Sequence, residues 1–335
     1  MAKILITGAG GYIGSVATYM FLNRGYEIVG VDNFLRGFEK PLKILQEKFS
    51  EVKFKYYKAD IKDDLSFIFE KEKNIDGVIH YAAMCSVDES IKYPEKYFSN
   101  NVCGTQNLLN HLLENNIKNI VFSSTCAVYG EAEYIPIDEK HKTQPTNPYG
   151  ESKLMMEKIM NWYSKLKDFN YVILRYFNVC GATEDGLIGD AKKPSVHLMQ
   201  NAVRGALNLE PFYLTYPKVD TKDGSPIRDY CNVIDLNEAH ILAVEHLLKG
   251  KTSEIINLGT GNGNSVLEII NKVKEITGAD FKIETGKARQ GEYTKAIASI
   301  EKAKEVLNWE PKRTIEDSIK SLVKWYKSRP KGWSI

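Results

Sequence analysis

The 335-residue chain has no excess of either charge: 45 basic and 43 acidic side chains leave a formal net charge of +2. A near balance gives no reason to expect nucleic acid or a membrane surface as partner. Cysteine is scarce as well. Cys85, Cys103, Cys126, Cys180 and Cys231 are scattered, odd in number and never spaced as CxxC, which argues against a disulfide framework and reads as reduced thiols. The six histidines form no HExxH pattern, so no metal is expected. No apolar run reaches transmembrane length, and residues 3–6 start a strand at once, without a signal-peptide core. The expectation is a cytoplasmic protein. Its 43% hydrophobic content is enough for a sizeable core.

Short apolar runs do recur, at residues 4–6, 28–31, 54–57, 78–81, 120–122 and 172–174, with helical patterns between them. Strands apolar throughout are what a parallel sheet covered on both faces requires. The class is therefore doubly wound α/β.

The first run leads into Thr7, Gly8, Ala9, Gly10, Gly11, Tyr12, Ile13 and Gly14, opening a helix that runs to about Asn23. Glycines let the backbone turn tightly and approach a pyrophosphate, whose charge the helix N-terminus meets. The next strand ends at Asp32, where an acidic side chain grips adenosine ribose hydroxyls and repels a 2′-phosphate. That spacing points to NAD over NADP. Arg36 is either a softening of that preference or a surface loop residue. Asp60 and Ile61 end the third run, as part of an adenine pocket or as a solvated strand end.

Tyr81, Ala82 and Ala83 at the fourth strand end suit either close passage of a flat cofactor or buried packing. A helix is expected over about 95–116. Its adjacent Asn100 and Asn101 carry a propensity cost, and one of them is expected to face the cofactor. The fifth run ends in Ser123, Ser124 and Thr125, hydroxyls that can cap a turn or do chemistry. Beyond Pro145 and Pro148, Tyr149 and Lys153 fall one turn apart on a helix running to about Lys167. An ammonium near a phenol favours the phenolate, which could take a proton from an alcohol; an exposed helical pair has the same spacing.

Together these residues resemble the extended short-chain dehydrogenase/reductase family, and within it the UDP-sugar 4-epimerases, over nearly the whole chain. The likeness rests on the glycine loop, Asp32 with Asn33, Asp60 with Ile61, the hydroxyl strand followed by Val128, Tyr129 and Gly130, Tyr149 with Lys153, and residues 175–178. It continues through residues 223–225, 228–236 and 257–261 with Ser265 and Val266. No one motif is specific; their order and spacing are.

The resemblance implies a Rossmann-type NAD domain from residues 1–178 plus about 228–258, and a smaller C-terminal α/β UDP-sugar lobe from about 179–227 plus 259–335. It implies an NAD site made by Gly8, Gly11, Tyr12, Ile13, Gly14, Asp32, Asn33, Asp60, Ile61, Tyr81, Ala82, Ala83, Asn100, Ser123, Tyr149, Lys153 and Tyr176. Tyr149 would be the acid/base, Lys153 would hold the ribose and the phenol's pKa, and Thr125, with Ser124 beside it, would supply the third catalytic hydroxyl. Many relatives carry serine where Thr125 stands. The family's dehydratases carry an acid pair after that hydroxyl; Cys126 and Ala127 here speak against dehydration.

Substrate contacts carried over are Thr125, Tyr149, Asn178, His197, Leu198, Arg228, Tyr230, Arg289, Glu292 and Ala296. Residues 192–196 depart from the family's loop, while His197 and Leu198 stay in register. The implied reaction is C4 epimerisation of UDP-glucose and UDP-galactose through a 4-keto sugar on tightly bound NAD. Ala296 stands where bulk closes the sugar pocket, so N-acetylated UDP-sugars are expected too. Rival readings are a 4-epimerase of UDP-glucuronate or a UDP-pentose, a related decarboxylase, or a non-catalytic dinucleotide sensor, which would be expected to lack Tyr149 or Lys153. A homodimer through the helices near 101–116 and 149–167 is implied as well.

Overall fold

The computed structural model describes residues 2–50, 52–193, 195–286 and 293–333. The chain enters on β1 (Lys3–Thr7), turns into α1 (Tyr12–Asn23) and returns on β2 (Glu27–Asp32). Next come α2 (Lys40–Phe49), β3 (Phe54–Lys58), α3 (Ser66–Lys71) and β4 (Gly77–His80). Short α4 (Val87–Lys92) and α5 (Pro94–Tyr97) precede α6 (Thr105–Glu114), β5 (Asn119–Thr125), α7 (Pro148–Lys167) and β6 (Asn170–Tyr176).

The remainder alternates short strands with helices: β7 (Asn178–Cys180), α8 (Leu198–Ala206), β8 (Phe212–Leu214), β9 (Ile227–Arg228), β10 (Tyr230–Asn232), α9 (Val233–Leu248) and β11 (Glu254–Leu258). It ends with β12 (Asn264–Ser265), α10 (Val266–Thr277), β13 (Ile283–Thr285), β14 (Lys295–Ala296), α11 (Glu301–Leu307) and α12 (Ile315–Ser328).

Seven strands form the main sheet in the order β11-β6-β5-β4-β1-β2-β3. The registers from β5 through β4, β1 and β2 to β3 are all parallel. This is the doubly wound Rossmann-type arrangement expected from the apolar runs. The strand order reverses at β1, so the crevice outside the carboxyl ends of β1 and β4 is where such a sheet receives a ligand. On one face Leu5, Val29, Val78, Ile120 and Phe122 share a core with Leu108 and Leu112 of α6 and with Met156 and Met160 of α7. That shared burial seats α7 on the sheet.

Two compact units divide the chain. The first comprises Met1–Gly130, Thr143–Arg175 and Asn237–Ile256. The second comprises Glu131–Lys142, Tyr176–Leu236 and Asn257–Ile335. Within the second, β7 pairs with β10, β8 with β13, and β9 lies between β12 and β14. Capping boxes start α10 (Ser265 with Glu268) and α12 (Thr314 with Asp317), and these helices pack with α8.

One expectation is corrected. The single helix over about 95–116 is three pieces: α5, a π-helical stretch Phe98–Gly104, and α6. The wider turn accommodates Asn101, which is buried and accepts from Met84 N at 2.9 Å while donating to Met84 O and Ser152 Oγ at 3.0 Å.

Candidate active site

β1 delivers the chain into the glycine loop. Gly8 has φ +72°, and a Cβ there would lie 2.7 Å from Ala82 N, so the loop runs directly against the end of β4. A Cβ on Gly14 would lie 2.1 Å from Gly8 O, which sets how closely α1 approaches the loop. Gly11 caps α1 without a side chain, and the first turn contains no acidic residue. The positive end of α1 is therefore not neutralised from within the helix, which suits a pyrophosphate. Asp32 closes the arrangement: its Oδ2 accepts from Gly10 N at 2.9 Å and its Oδ1 from Phe34 N at 2.7 Å. The residues present fit a dinucleotide.

Neighbouring side chains hold this edge in shape. Asn33 donates to Asp60 Oδ2 at 2.9 Å, and Asp60 Oδ1 accepts from Lys62 N at 2.9 Å, so Asp60 buttresses the loop after β2. Ile61 is buried, and its carbonyl accepts from Asn107 at 2.8 Å. Arg36 forms an ion pair with Glu89 of α4. Tyr81 donates to Asn237 at 2.7 Å and leans on the His240 ring. Asn100 donates to Asn101 Oδ1 at 3.0 Å, which makes Asn101 the buried partner of the two. His80 sits between Thr7 Oγ1 at 2.6 Å and Thr105 Oγ1 at 2.8 Å. Burial and then the Lys153 charge pull its pKa down to about 3, so it stays neutral.

The acid/base candidates are brought in by α7. Asn147 caps it, accepting from Gly150 N at 2.9 Å, and a Cβ on Gly150 would lie 2.5 Å from Ala127 O. The helix thus starts against the turn that follows β5. Tyr149 packs there with Ala127 and with Tyr97, whose ring meets it edge-on at 6.4 Å. One turn later Lys153 is buried, with Nζ donating to Ser123 O at 2.7 Å and lying 4.7 Å from the Phe122 ring centroid. Burial draws its pKa down to about 8, against the raising influence of Cys85 and Glu157.

The three hydroxyls of β5 part company, as alternation along a strand requires. Ser123 Oγ is 3.2 Å from His240 Nε2. Thr125 Oγ1 accepts from Ala127 N at 3.2 Å and caps the turn before Tyr129. Ser124 donates instead to the buried Glu157 of α7. Glu157 is also gripped by Arg175, whose Nη1 donates to Tyr129 Oη at 3.0 Å. Burial opposes the Arg175 charge, but Glu157 more than offsets it and holds the guanidinium above its ordinary range.

In the second unit, Asn178 of β7 faces Tyr230 of β10 in register, and its N–H donates to Asp229 O at 3.0 Å. Tyr176 ends β6. Half-buried Arg228 on β9 is in register with the buried Ala296 of β14. His197 caps α8 and Leu198 begins it. Arg289 and Glu292 lie outside the described residues, as does Pro194 in the unusual 192–196 segment. Among the described residues no group of three His, Cys, Asp or Glu side chains could hold a metal ion, and no helix is long and apolar enough to cross a membrane.

Two residues were given no role by the sequence reading. Asp229 is fully buried and accepts from Thr260 N and Oγ1 at 2.7 Å, Gly261 N at 3.0 Å and Ala298 N at 3.2 Å. Burial raises its pKa despite these donors. It binds the segment carrying Arg228 to the loop after β11. Glu157 is the other; the available signal was that it repeats the Tyr149 to Lys153 spacing one turn further on.

Residues 4–259 match the NAD dependent epimerase/dehydratase family. The chain belongs to that family. NAD is accordingly its cofactor. The chain is 42% identical to the UDP-glucose 4-epimerase of Lactobacillus helveticus, covering 99% of each chain. It is 33% identical to the crystallised UDP-glucose 4-epimerase of Bifidobacterium longum in complex with NAD+ and UDP, with TM-score 0.93 over 99% of this chain and 100% of that one. The UDP-Glc/GlcNAc 4-epimerase of Campylobacter jejuni is 36% identical, with TM-score 0.82 over 98% of this chain and 100% of that one.

Proposed function

We propose that this protein interconverts UDP-glucose and UDP-galactose by inverting C4 of the hexose. The observation that carries the reading is full-length similarity to UDP-glucose 4-epimerases in a chain that sets Tyr149 and Lys153 one turn apart, against the turn capped by Thr125. Tyr149 takes the proton of the 4-hydroxyl, and the Thr125 hydroxyl steadies the same oxygen. NAD, when bound, supplies the acceptor and donor for the C4 hydrogen. Lys153, fixed by the Ser123 carbonyl, holds the nicotinamide ribose and its positive charge favours the tyrosinate. In the second half Tyr149 returns the proton to the new alcohol, so one phenol serves as base and then acid.

Inversion requires the 4-keto sugar to present its other face while the nucleotide stays fixed. Binding energy is therefore concentrated on UDP, which Asn178, His197, Leu198, Arg228, Tyr230, Arg289 and Glu292 would hold. Asp32 with the glycine loop would retain NAD between turnovers, with Asn33, Ile61, Tyr81, Ala82, Ala83, Asn100, Ser123 and Tyr176 around it.

A second substrate pair is favoured by Ala296. It is small and buried, and the similar C. jejuni protein is a UDP-Glc/GlcNAc 4-epimerase. We read the protein as acting on UDP-N-acetylglucosamine and UDP-N-acetylgalactosamine too. We also read it as cytoplasmic, and as a homodimer because α7 carries exposed Met155, Trp162 and Leu166 at coiled-coil spacing with Ile159 between them.

The test is assay of the purified protein on UDP-galactose without added NAD, beside Tyr149→Phe. Turnover without added cofactor and a loss of about 10³-fold in the variant, at unchanged UDP affinity, are expected. Absence of epimerisation even after NAD is supplied would refute the reading.

A further inference from the structure

We propose that Glu157 is a positioning residue of the acid/base site, locking α7 to the ends of β5 and β6 and placing a carboxylate one turn from Lys153. This rests on the roles given above to Tyr149 and Lys153. Tyr149, Lys153 and Glu157 follow one another at single-turn intervals on α7, so they share a face. Glu157 is only 3% exposed. Its carboxylate accepts from Ser124, the residue before Thr125, and from Arg175 Nε at 3.0 and 3.2 Å. Arg175 belongs to β6, and its other arm reaches Tyr129 Oη while the guanidinium lies 4.9 Å from that ring's centroid. One carboxylate thereby gathers the strand bearing Thr125, the turn bearing Tyr129 and the helix bearing Tyr149.

Apolar residues could fill this volume at similar stability, since a buried ion pair rarely improves on well-packed hydrocarbon. Two things they could not supply. Directional bonds fix how far α7 is rotated about its axis and slid along β5, and catalysis is sensitive to displacements of about 1 Å. The second is a charge one turn from Lys153. Lys153 contacts the Ser123 carbonyl and Phe122 ring of β5, and the titratable groups that act on its charge or feel it are Cys85 after β4, neutral His80 on β4 and Glu157 on its own helix. Of these, Glu157 is the carboxylate.

The experiment compares the wild type with Glu157→Gln and with the double variant Glu157→Leu/Arg175→Met, which removes both charges together and protects against loss of fold. Glu157→Gln is expected to lower kcat by about tenfold or more while KM for UDP-galactose changes less than about twofold. The alkaline limb of its kcat profile is expected at lower pH, because Lys153 gives up its proton sooner. The double variant is expected to move the same way by a smaller amount. The Lys153 titration is read independently of turnover from ¹³C NMR of lysine-labelled protein. Wild-type kcat and an unmoved Lys153 titration in the double variant would overturn the inference. A wild type inactive on every UDP-sugar, with Lys153 titrating lower in Glu157→Gln, would overturn the proposed reaction and leave the electrostatic link standing.

Discussion

Lys153 Nζ donates to the backbone carbonyl of Ser123 at 2.7 Å, on a side chain only 3% exposed. A neutral oxygen and an aromatic face compensate poorly for lost water, which is why burial brings the pKa from 10.5 to about 8. Between those values the unfolded chain binds more protons than the folded one, so stability rises with pH across that window. Below pH 8 the full cost applies, about 3 kcal/mol by the size of the shift.

Lys153→Met should therefore stabilise the fold while removing the proposed catalytic lysine. Losing the bond to Ser123 returns about 1 kcal/mol of the gain. With nucleotide removed, the variant should melt about 3 °C above wild type at pH 7, and the gap should close by about pH 10. Calorimetry at both pH values checks this. A variant that melts below wild type at pH 7 would show that the ammonium is no burden.

The glycines of the first loop separate folding from cofactor binding. A Cβ at position 14 would lie 2.1 Å from the Gly8 carbonyl oxygen, whereas one at position 11 would lie 3.2 Å from the same atom. Gly14→Ala should therefore lower the melting temperature by about 10 °C or fail to fold. Gly11→Ala should keep its melting temperature to within about 2 °C when free of nucleotide, yet bind NAD at least about tenfold more weakly, because the added methyl intrudes where the pyrophosphate approaches. Equal melting losses in the two variants would count against that division of roles.

How much of this was legible in the sequence depended on which physical signal each residue carries. β1, β2, β4, β5 and β6 announced themselves as apolar runs because strands covered on both faces leave no polar alternation, whereas the edge strand β3 exposes Lys55 and Lys58. The loop at Gly8 to Gly14 was legible because only glycine tolerates the close approaches found at positions 8 and 14. The break near Asn101 was hidden, since the run on either side of it is helical and the π turn exists to serve a tertiary bond to Met84 and Ser152. Ser124 and Thr125 could not be told apart, because which way a strand residue points depends on what covers each face. Glu157 was hidden for the opposite reason: a charged residue on a helix reads as solvent-facing until Arg175, far along the chain, is seen to meet it.

The exposed face of α7 makes a prediction about assembly. Trp162 is 59% and Leu166 68% exposed, far more than a monomer gains by leaving them in water. In the proposed dimer they would be covered. Trp162→Glu with Leu166→Lys should shift the mass in light scattering from twice 38.0 kDa to one chain, with the far-UV spectrum unchanged. A wild type of one-chain mass would overturn the dimer.

Substrate range is predicted to depend on a side chain that is nearly absent. Ala296 is buried on β14 in register with Arg228, so growth at this position enlarges a wall of the second unit and cannot escape to solvent. Ala296→Tyr should cut the rate on UDP-N-acetylglucosamine by at least about 100-fold, since an acyl group has no room to yield, and leave UDP-galactose within about threefold. Overpacking in a buried strand costs about 1–3 kcal/mol, so the melting temperature of the variant belongs in the same experiment. Steady-state rates on both pairs decide the matter. Equal losses on the two substrates would mean that the tyrosine disturbs the lobe as a whole, and a wild type without activity on the N-acetylated pair would mean that another side chain already fills the space.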